Sequence, residues 1–167
     1  MEDRPVTMKH IAKGLREMLG EVLPLLQDIT ENDASRRPSP DKWSKKEILG
    51  HLIDSACNNQ QKFVRSMAQQ RVDFVGYQQN VWVDVQNYNG AIWRDLIDFW
   101  RAYNLHLSSI IETVSPSLLA NTITIEDGGT FSLRFMMEDY VEHLKHHLNQ
   151  ISPAISLSTS YPNIYNT

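Results

Sequence analysis

The sequence has few of the features that mark disulfide-linked or membrane-spanning proteins. Its single cysteine, Cys57, cannot form an internal disulfide, which favours a reducing compartment. No run approaches the ~18 consecutive apolar residues of a transmembrane helix. The opening stretch, MEDRPVTMKH, contains no apolar segment typical of a secretory signal. We therefore expect a cytoplasmic protein with no membrane partner.

Clustered positive charge is also missing. The chain has 16 Lys and Arg against 20 Asp and Glu, which gives a net charge of -4. The basic residues are scattered, and the densest pair, Arg36 and Arg37, lies in a proline-containing stretch. Binding to nucleic-acid phosphates needs clustered Lys and Arg, so we expect no nucleic-acid partner.

The remaining composition is that of one soluble globular domain, with 167 residues, 41% hydrophobic and 22% charged. Apolar residues recur at helical spacing in four long segments. These predict an all-α four-helix bundle as a single domain over residues 1–151, followed by a loosely ordered C-terminal tail over 152–167. The four predicted helices cover about residues 6–30, 44–67, 90–114 and 132–151.

Local signals refine these boundaries. Pro24 lies inside the first helical segment, so we expect a kink or break near Glu21. In WSKKEI, Ser44 can cap the second helix while Glu47 completes a capping box. The third helix is expected to bury one apolar face, which comprises Ile92, Leu96, Phe99, Trp100, Tyr103, Leu107, Ile110 and Ile111.

The connections carry two further signals. Residues 71–89 are rich in aromatics and predict a long ordered connection between the second and third helices. This connection either caps one end of the bundle or forms the wall of a pocket. Residues 121–125 predict a short extended piece before a turn at residues 127–129.

Three histidines stand close together in the stretch VEHLKHHLNQI of the fourth helix. With ~100° of rotation per residue, His147 falls inside the apolar arc and His143, one turn earlier, lies at its edge. His146 points away from this arc, and we expect it to face solvent. Two imidazoles at positions i and i+4 can chelate one metal ion, although a lone inward histidine is more often a core residue.

A third histidine, His51, lies at the border of the apolar face of the second helix. Ser55 follows one turn later, and Asn59 falls inside the apolar arc, where its amide needs a hydrogen-bond partner. If His51 faces His143 and His147, three nitrogen ligands with open coordination positions result, as in a catalytic zinc site. A histidine at the edge of the bundle is the alternative that periodicity leaves open.

The stretch WSKKEILGHLIDSA, followed roughly ninety residues later by DYVEHLKHHLNQI, resembles the DinB-like family of metal-binding four-helix bundles. The family includes bacillithiol- and mycothiol-type thiol S-transferases and proteins labelled metal-dependent hydrolases. Its signature joins a histidine in W-S-x-x-E-x-x-x-H-L to an H-x-x-x-H pair that is often followed by glutamine. The matching residues here are His51, His143 and His147, with Gln150 after them.

The resemblance extends over nearly the whole chain. It implies a DinB/YfiT-like bundle in which His51, His143 and His147 hold one divalent metal ion, zinc or nickel, with iron as a further option. It also implies a homodimer. The reaction is left open by the resemblance, because the family covers several activities.

Three functions fit the predicted site. Transfer of a small-molecule thiol to an electrophilic substrate needs no general base, because a metal lowers the pKa of a bound thiol. A metal-dependent hydrolase would gain from a base, yet Asp54 and Glu142 lie off the ligand face, which favours thiol transfer. Asp73 or Asp84 could supply a base from the connection. A non-catalytic ligand- or metal-binding module is the third alternative.

Several neighbours of the histidines are candidates for orienting them or lining the pocket. Asp139 and Gln150 border His143 and could accept ligand N–H groups. Cys57 lies well around the helix from His51 and is a poor candidate for a fourth ligand. For Ser55 and Asn59 an ordinary buried polar role is the alternative. The candidates as a whole are Ser55, Asn59, Asp139, Tyr140 and Gln150.

Overall fold

A computed structural model describes residues 7–126 and 128–160. Four long helices and two short ones lie in this part of the chain. They are α1 (Met8–Gln27), α2 (Glu31–Ser35), α3 (Lys45–Ala68), α4 (Gln79–Val85), α5 (Trp93–Thr113) and α6 (Leu133–Ile151).

The four long helices pack as a bundle around one apolar core. α1 packs mainly against α5, while α3 lies against both α5 and α6. The helices bury their apolar faces because each has hydrophobic side chains at helical spacing. The largest fully buried side chains are Trp100, Tyr140 and Phe63. Two residues predicted to be buried on α5 are exposed: Ile92 precedes the helix and Phe99 stacks on Tyr103 at the surface.

The capping box predicted for α3 is confirmed. The Ser44 hydroxyl accepts a hydrogen bond from the Glu47 N–H at 3.2 Å, and the Glu47 carboxylate accepts one from the Ser44 N–H at 2.7 Å. Glu47 also pairs with Arg37, which ties the loop before α3 to its first turn. These contacts fix where α3 begins, and with it the position of His51.

The first helix was expected to kink or break near Glu21, and the structure shows no break there. α1 continues through Pro24 and ends three residues later, at Gln27. Pro24 lies in the last turn of the helix, so the ring removes one hydrogen bond without interrupting a longer helical segment. Residue 6, where the helix was expected to begin, lies outside the described residues.

The all-α prediction is incomplete, because the structure contains a three-stranded sheet. β1 (Arg71–Phe74) pairs in parallel with β2 (Thr122–Ile125), which pairs antiparallel with β3 (Gly129–Ser132). The extended piece predicted at residues 121–125 is therefore the central strand of this sheet. Asp127, in the predicted turn, lies outside the described residues.

The connection over residues 71–89 contains β1 and α4 and packs along α3. The Tyr88 ring lies against Gly50, where an added Cβ would be 2.2 Å from a ring carbon. The Tyr88 hydroxyl donates to the Asp54 carboxylate at 2.7 Å, and the Gln86 amide donates to the same oxygen at 2.8 Å. The connection thus covers the side of α3 that carries Gly50 and Asp54.

Residues 152–160 fold back onto α6. Ile155 is buried in the core, and the Leu157 backbone exchanges two hydrogen bonds with the Asn149 side chain, at 2.8 and 2.9 Å. These contacts hold residues 152–160 against α6, while residues 161–167 of the predicted tail lie outside the described part. Among the described helices, none has both the length and the apolar character needed to cross a membrane.

Candidate metal centre

Three histidine side chains from α3 and α6 converge in the bundle. The Nε2 atoms of His51 and His143 are 3.4 Å apart. The His147 ring centroid lies 4.7 Å from that of His51 and 4.5 Å from that of His143. One nitrogen of each ring lies within 4.8 Å of the other two, so the three could hold one metal ion.

The separation between these nitrogens suits a first-row divalent ion. Ligands at 2.0–2.1 Å from a tetrahedral ion are about 3.3 Å from each other, close to the spacing of the His51 and His143 nitrogens. His51 is fully buried, and its Nδ1 has no hydrogen-bond partner in the described part of the chain. A cation between the rings would stabilise nitrogen lone pairs that otherwise face each other. The residues present therefore fit a bound metal.

The electrostatics keep the three rings neutral. Burial, helped by the neighbouring His147, lowers the pKa of His51 to about 3. Burial likewise lowers the pKa of His147 to about 4 and holds that of His143 well below its usual range. A charged imidazolium loses its hydration when buried, so the neutral form is favoured. Neutral imidazoles have a free lone pair at neutral pH, as metal binding requires.

Hydrogen bonds orient two of the rings. His147 Nδ1 lies 2.9 Å from the Gln150 carbonyl oxygen, which can only accept, so the ring nitrogen is the donor. This leaves His147 Nε2 unprotonated and free to bind a cation. The Ser55 hydroxyl lies 3.4 Å from His143 Nδ1, and the Asn59 amide donates to the Ser55 hydroxyl at 3.3 Å. Such partners of metal-binding histidines raise the affinity for the ion.

Comparison with known proteins identifies the family. The family model described as the DinB superfamily matches residues 15–151. The chain belongs to the DinB superfamily. This confirms the resemblance drawn from the two histidine motifs.

A solved structure shares the fold of this DinB-superfamily chain. It is YfiT from Bacillus subtilis, described as a probable metal-dependent hydrolase with an unusual four-helix bundle topology. The identity is 14%, the match covers 92% of this chain and 90% of YfiT, and the TM-score is 0.80. At this identity the likeness shows the fold alone. None of the curated proteins matches the chain in sequence.

The remaining predicted site residues of the DinB domain divide into two groups. Gln150, Ser55 and Asn59 connect to the histidines through hydrogen bonds. Asp139, one turn before His143, is half-buried, and burial raises its pKa while the charge of Lys62 lowers it. Tyr140 instead lies in the core, where its hydroxyl donates to Asn104 of α5 at 2.6 Å. The structure therefore does not bring Tyr140 to the metal centre.

Three other predicted positions also lie apart from the triad. His146 was expected to face solvent, but it is half-buried, and its Nε2 lies 3.2 Å from the Gln150 amide nitrogen. It is not part of the metal-binding group. Asp73 and Asp84, considered as a hidden base, are both exposed in the connection.

Two neighbours of the centre were not among the predicted site residues. The Trp43 ring packs against His51 with centroids 5.2 Å apart and covers one face of the imidazole. Lys62 places its ammonium 5.1 Å from the centroid of the Phe74 ring. Helical spacing could have predicted the position of Lys62. It follows His51 by eleven residues, or about three turns, and so lies on the same face of α3. Trp43 precedes the helix, where spacing makes no prediction.

Proposed function

We propose that this DinB-superfamily chain is a metal-dependent enzyme whose His51, His143 and His147 hold one divalent ion, zinc or nickel, with iron as a further option. The observation that carries the proposal is the convergence of three neutral imidazole nitrogens within 4.8 Å. Structural zinc sites are usually closed by four protein ligands, often including cysteine. A group of three histidines leaves a coordination position for a substrate, which favours catalysis over a structural role.

The reaction we propose is transfer of a small-molecule thiol to an electrophilic substrate. A divalent ion in such a site lowers the pKa of a thiol or water that reaches it. The hydrogen-bond partners of His143 and His147 are the Ser55 hydroxyl and the Gln150 carbonyl oxygen, neither of which acts as a base at neutral pH. A thiol needs no separate base in this setting. It would come from a second molecule, because Cys57 is outside the metal-binding group.

The residues around the ion have distinct roles in this proposal. Gln150 fixes the ring orientation and tautomer of His147. The Ser55 hydroxyl, which accepts a hydrogen bond from the Asn59 amide, contacts Nδ1 of His143. Trp43 covers His51 and excludes water from that side of the centre. These contacts preorganise the ligands, so little reorganisation is needed when the ion binds.

Hydrolysis is the second candidate, and Asp139 favours it. This carboxylate lies one turn before His143, and burial raises its pKa above the ordinary aspartate value, which makes it a stronger base towards water. The fold neighbour YfiT is itself described as a probable metal-dependent hydrolase. Both reactions use the same three ligands and differ in the nucleophile.

The test begins with metal analysis of untagged protein, followed by two assays. Consumption of 2-mercaptoethanol with 1-chloro-2,4-dinitrobenzene reports thiol transfer, and cleavage of 4-nitrophenyl acetate reports hydrolysis. We expect metal-dependent thiol consumption that His147→Ala or a chelator abolishes and that the matched control His146→Ala retains. Ester cleavage alone would select the hydrolase. Absence of both metal and turnover would leave a non-catalytic binding module.

A homodimer and a cytoplasmic location, both expected from the sequence, stay predictions. Light scattering tests the first, because a dimer would have twice the 19.3 kDa mass of the chain. A mass that stays at the monomer value across micromolar concentrations would contradict it.

A further inference from the structure

Two buried polar atoms without a hydrogen-bond partner among the described residues lie one turn apart on α3. They are Nδ1 of the candidate ligand His51 and Oδ2 of Asp54, which follows it by three residues. His51 is fully buried and Asp54 is 3% exposed. The other such side-chain atoms in this part of the chain belong to Ser66, fifteen residues after His51, and to Trp100 on α5. His51 and Asp54 are thus the pair that neighbouring positions on one helix bring together.

The carboxylate of Asp54 is directed towards the helical turn of His51. Side chains on a helix lean towards its N-terminus, so Asp54 extends back along α3. The contacts of Tyr88 support this direction, because its ring lies against Gly50 and its hydroxyl donates to Oδ1 of Asp54 at 2.7 Å. The Gln86 amide donates to the same oxygen at 2.8 Å. With Oδ1 held by these two donors, Oδ2 is the oxygen left to accept from another group.

A metal ion at the three histidines would make Nδ1 of His51 a hydrogen-bond donor. The Nε2 atom of His51 lies 3.4 Å from that of His143, so Nε2 is the nitrogen placed to bind the ion. The other nitrogen, Nδ1, then carries the proton. An imidazole that donates this proton to a carboxylate or a water keeps one tautomer and is a stronger ligand. Burying an N–H and a carboxylate oxygen without partners is costly, so a link between them would stabilise both groups.

We propose that Asp54 accepts the hydrogen bond of the His51 Nδ1–H through one buried water, as a positioning residue of the metal centre. This inference rests on the proposed function, because it concerns the orientation of one of its three ligands. The link is a water since the two atoms form no direct hydrogen bond, and a water can accept from His51 while it donates to Oδ2. Tyr88 and Gln86 hold the carboxylate through its other oxygen. Asp54 takes no part in the chemical step.

The test measures zinc affinity in wild type, Asp54→Asn and the control Asp98→Asn, the same substitution at an exposed aspartate of α5. Asparagine keeps an oxygen for Tyr88 and Gln86 but puts an amide NH2 group, which only donates, in the place of Oδ2. We expect Asp54→Asn to weaken zinc binding about 10- to 100-fold in competition with a chromogenic chelator, as loss of such partners typically does. Asp98→Asn should bind zinc as the wild type does.

Two further measurements separate positioning from folding. Urea denaturation of the zinc-free proteins should show Asp54→Asn to be no less stable than the wild type, so a lost fold would not explain the lost affinity. In NMR spectra of zinc-loaded protein with isotopically labelled histidine, the Nδ1–H proton of His51 should move upfield in Asp54→Asn. This shift is expected because the hydrogen bond of that proton weakens, and a purely structural role of Asp54 would not produce it.

The proposal is overturned if Asp54→Asn binds zinc within about twofold of the wild type, or if the His51 Nδ1–H resonance stays unchanged. A zinc-free Asp54→Asn that is less stable and loses zinc affinity in proportion would make the role structural, which also overturns it. A failure of the proposed function has a different signature, because the wild type would then bind zinc no more tightly than His147→Ala. That result would remove the positioning role of Asp54 as well.

Discussion

His51 and His143 are 92 residues apart in the sequence, yet their Nε2 atoms lie 3.4 Å from each other between α3 and α6. His147, one turn after His143, completes the group. Two neutral imidazoles can share one long hydrogen bond between these atoms, while His51 Nδ1 has no partner in the described residues. A shared cation explains the arrangement better than core packing does.

The first prediction concerns which histidines bind metal. We expect His51→Ala, His143→Ala and His147→Ala each to lose the ion, because two remaining ligands bind a divalent ion far more weakly than three. His146→Ala should retain it, since His146 lies outside the group although it neighbours His147. Inductively coupled plasma mass spectrometry on untagged protein gives the occupancy. Full occupancy in His147→Ala, or loss in His146→Ala, would contradict the assignment.

The second prediction tests Gln150 as a positioning residue. Its carbonyl oxygen accepts from His147 Nδ1, so Gln150→Ala should free the imidazole to rotate and change tautomer. Loss of such a partner typically weakens metal affinity about 10- to 100-fold. Competition with a chromogenic chelator measures the affinity. The matched control is Gln27→Ala, an exposed glutamine at the end of α1, which should bind metal as the wild type does.

Much of this site could be predicted because its signals are local. The capping box of Ser44 and Glu47 sets the start of α3, and the phase of α3 then places His51. On α6, the spacing of His143 and His147 alone puts them on one face. Whether the two faces meet is a tertiary question, and the resemblance to a known family supplied that step.

The parts that were missed depend on partners distant in the sequence. β1 pairs with a strand about fifty residues later, and a four-residue strand carries little periodicity of its own. Tyr140 has the helical phase of the ligand face, but its hydroxyl donates a hydrogen bond to Asn104 of α5 in the core. Phe99 has helical apolar spacing, yet no element covers it in the described structure. The spacing of residues along one helix does not predict these contacts with other elements.

The third prediction concerns the close contact between Gly50 and Tyr88. A Cβ at position 50 would lie 2.2 Å from the Tyr88 ring, so Gly50→Ala must displace the ring and its hydrogen bond to Asp54. We expect the free energy of unfolding to fall by about 1–3 kcal/mol. Urea denaturation measures this value.

The control for Gly50→Ala is Gly14→Ala on α1, where an added Cβ meets nothing within 4 Å. There the higher helix propensity of alanine should raise the free energy of unfolding by about 1 kcal/mol. If both variants changed the free energy of unfolding equally, Tyr88 would be adjusting freely to the added methyl group. That result would contradict the close packing of the connection on α3.

The fourth prediction is a pH dependence at Asp54. Its Oδ1 accepts from Tyr88 and Gln86, while its buried Oδ2 has no partner among the described residues, and burial raises the pKa of this carboxyl. Asparagine can keep the same acceptor without a buried charge. We therefore expect Asp54→Asn to raise the free energy of unfolding at pH 7 by about 1 kcal/mol.

The sign of this pH dependence follows from the raised pKa. Between the ordinary aspartate pKa of about 4 and the raised folded value, the folded protein binds a proton that the unfolded chain has lost. The wild type thus loses stability relative to Asp54→Asn as pH rises through that window, and the two should converge below it. Urea denaturation of both proteins from pH 3.5 to 8 gives the difference. A constant difference across this range would contradict a titrating Asp54.

The last prediction separates an external thiol from the protein's own cysteine. Cys57 follows His51 by six residues, about 120° away around α3. It lies close to Tyr103 on α5, whose pKa is raised by burial and by interaction with Cys57. Its sulfur is therefore directed away from the three histidines, and Cys57→Ala should keep the full metal content and thiol-transfer rate. Loss of turnover in a variant that retains metal and fold would make Cys57 the nucleophile and refute transfer from an external thiol.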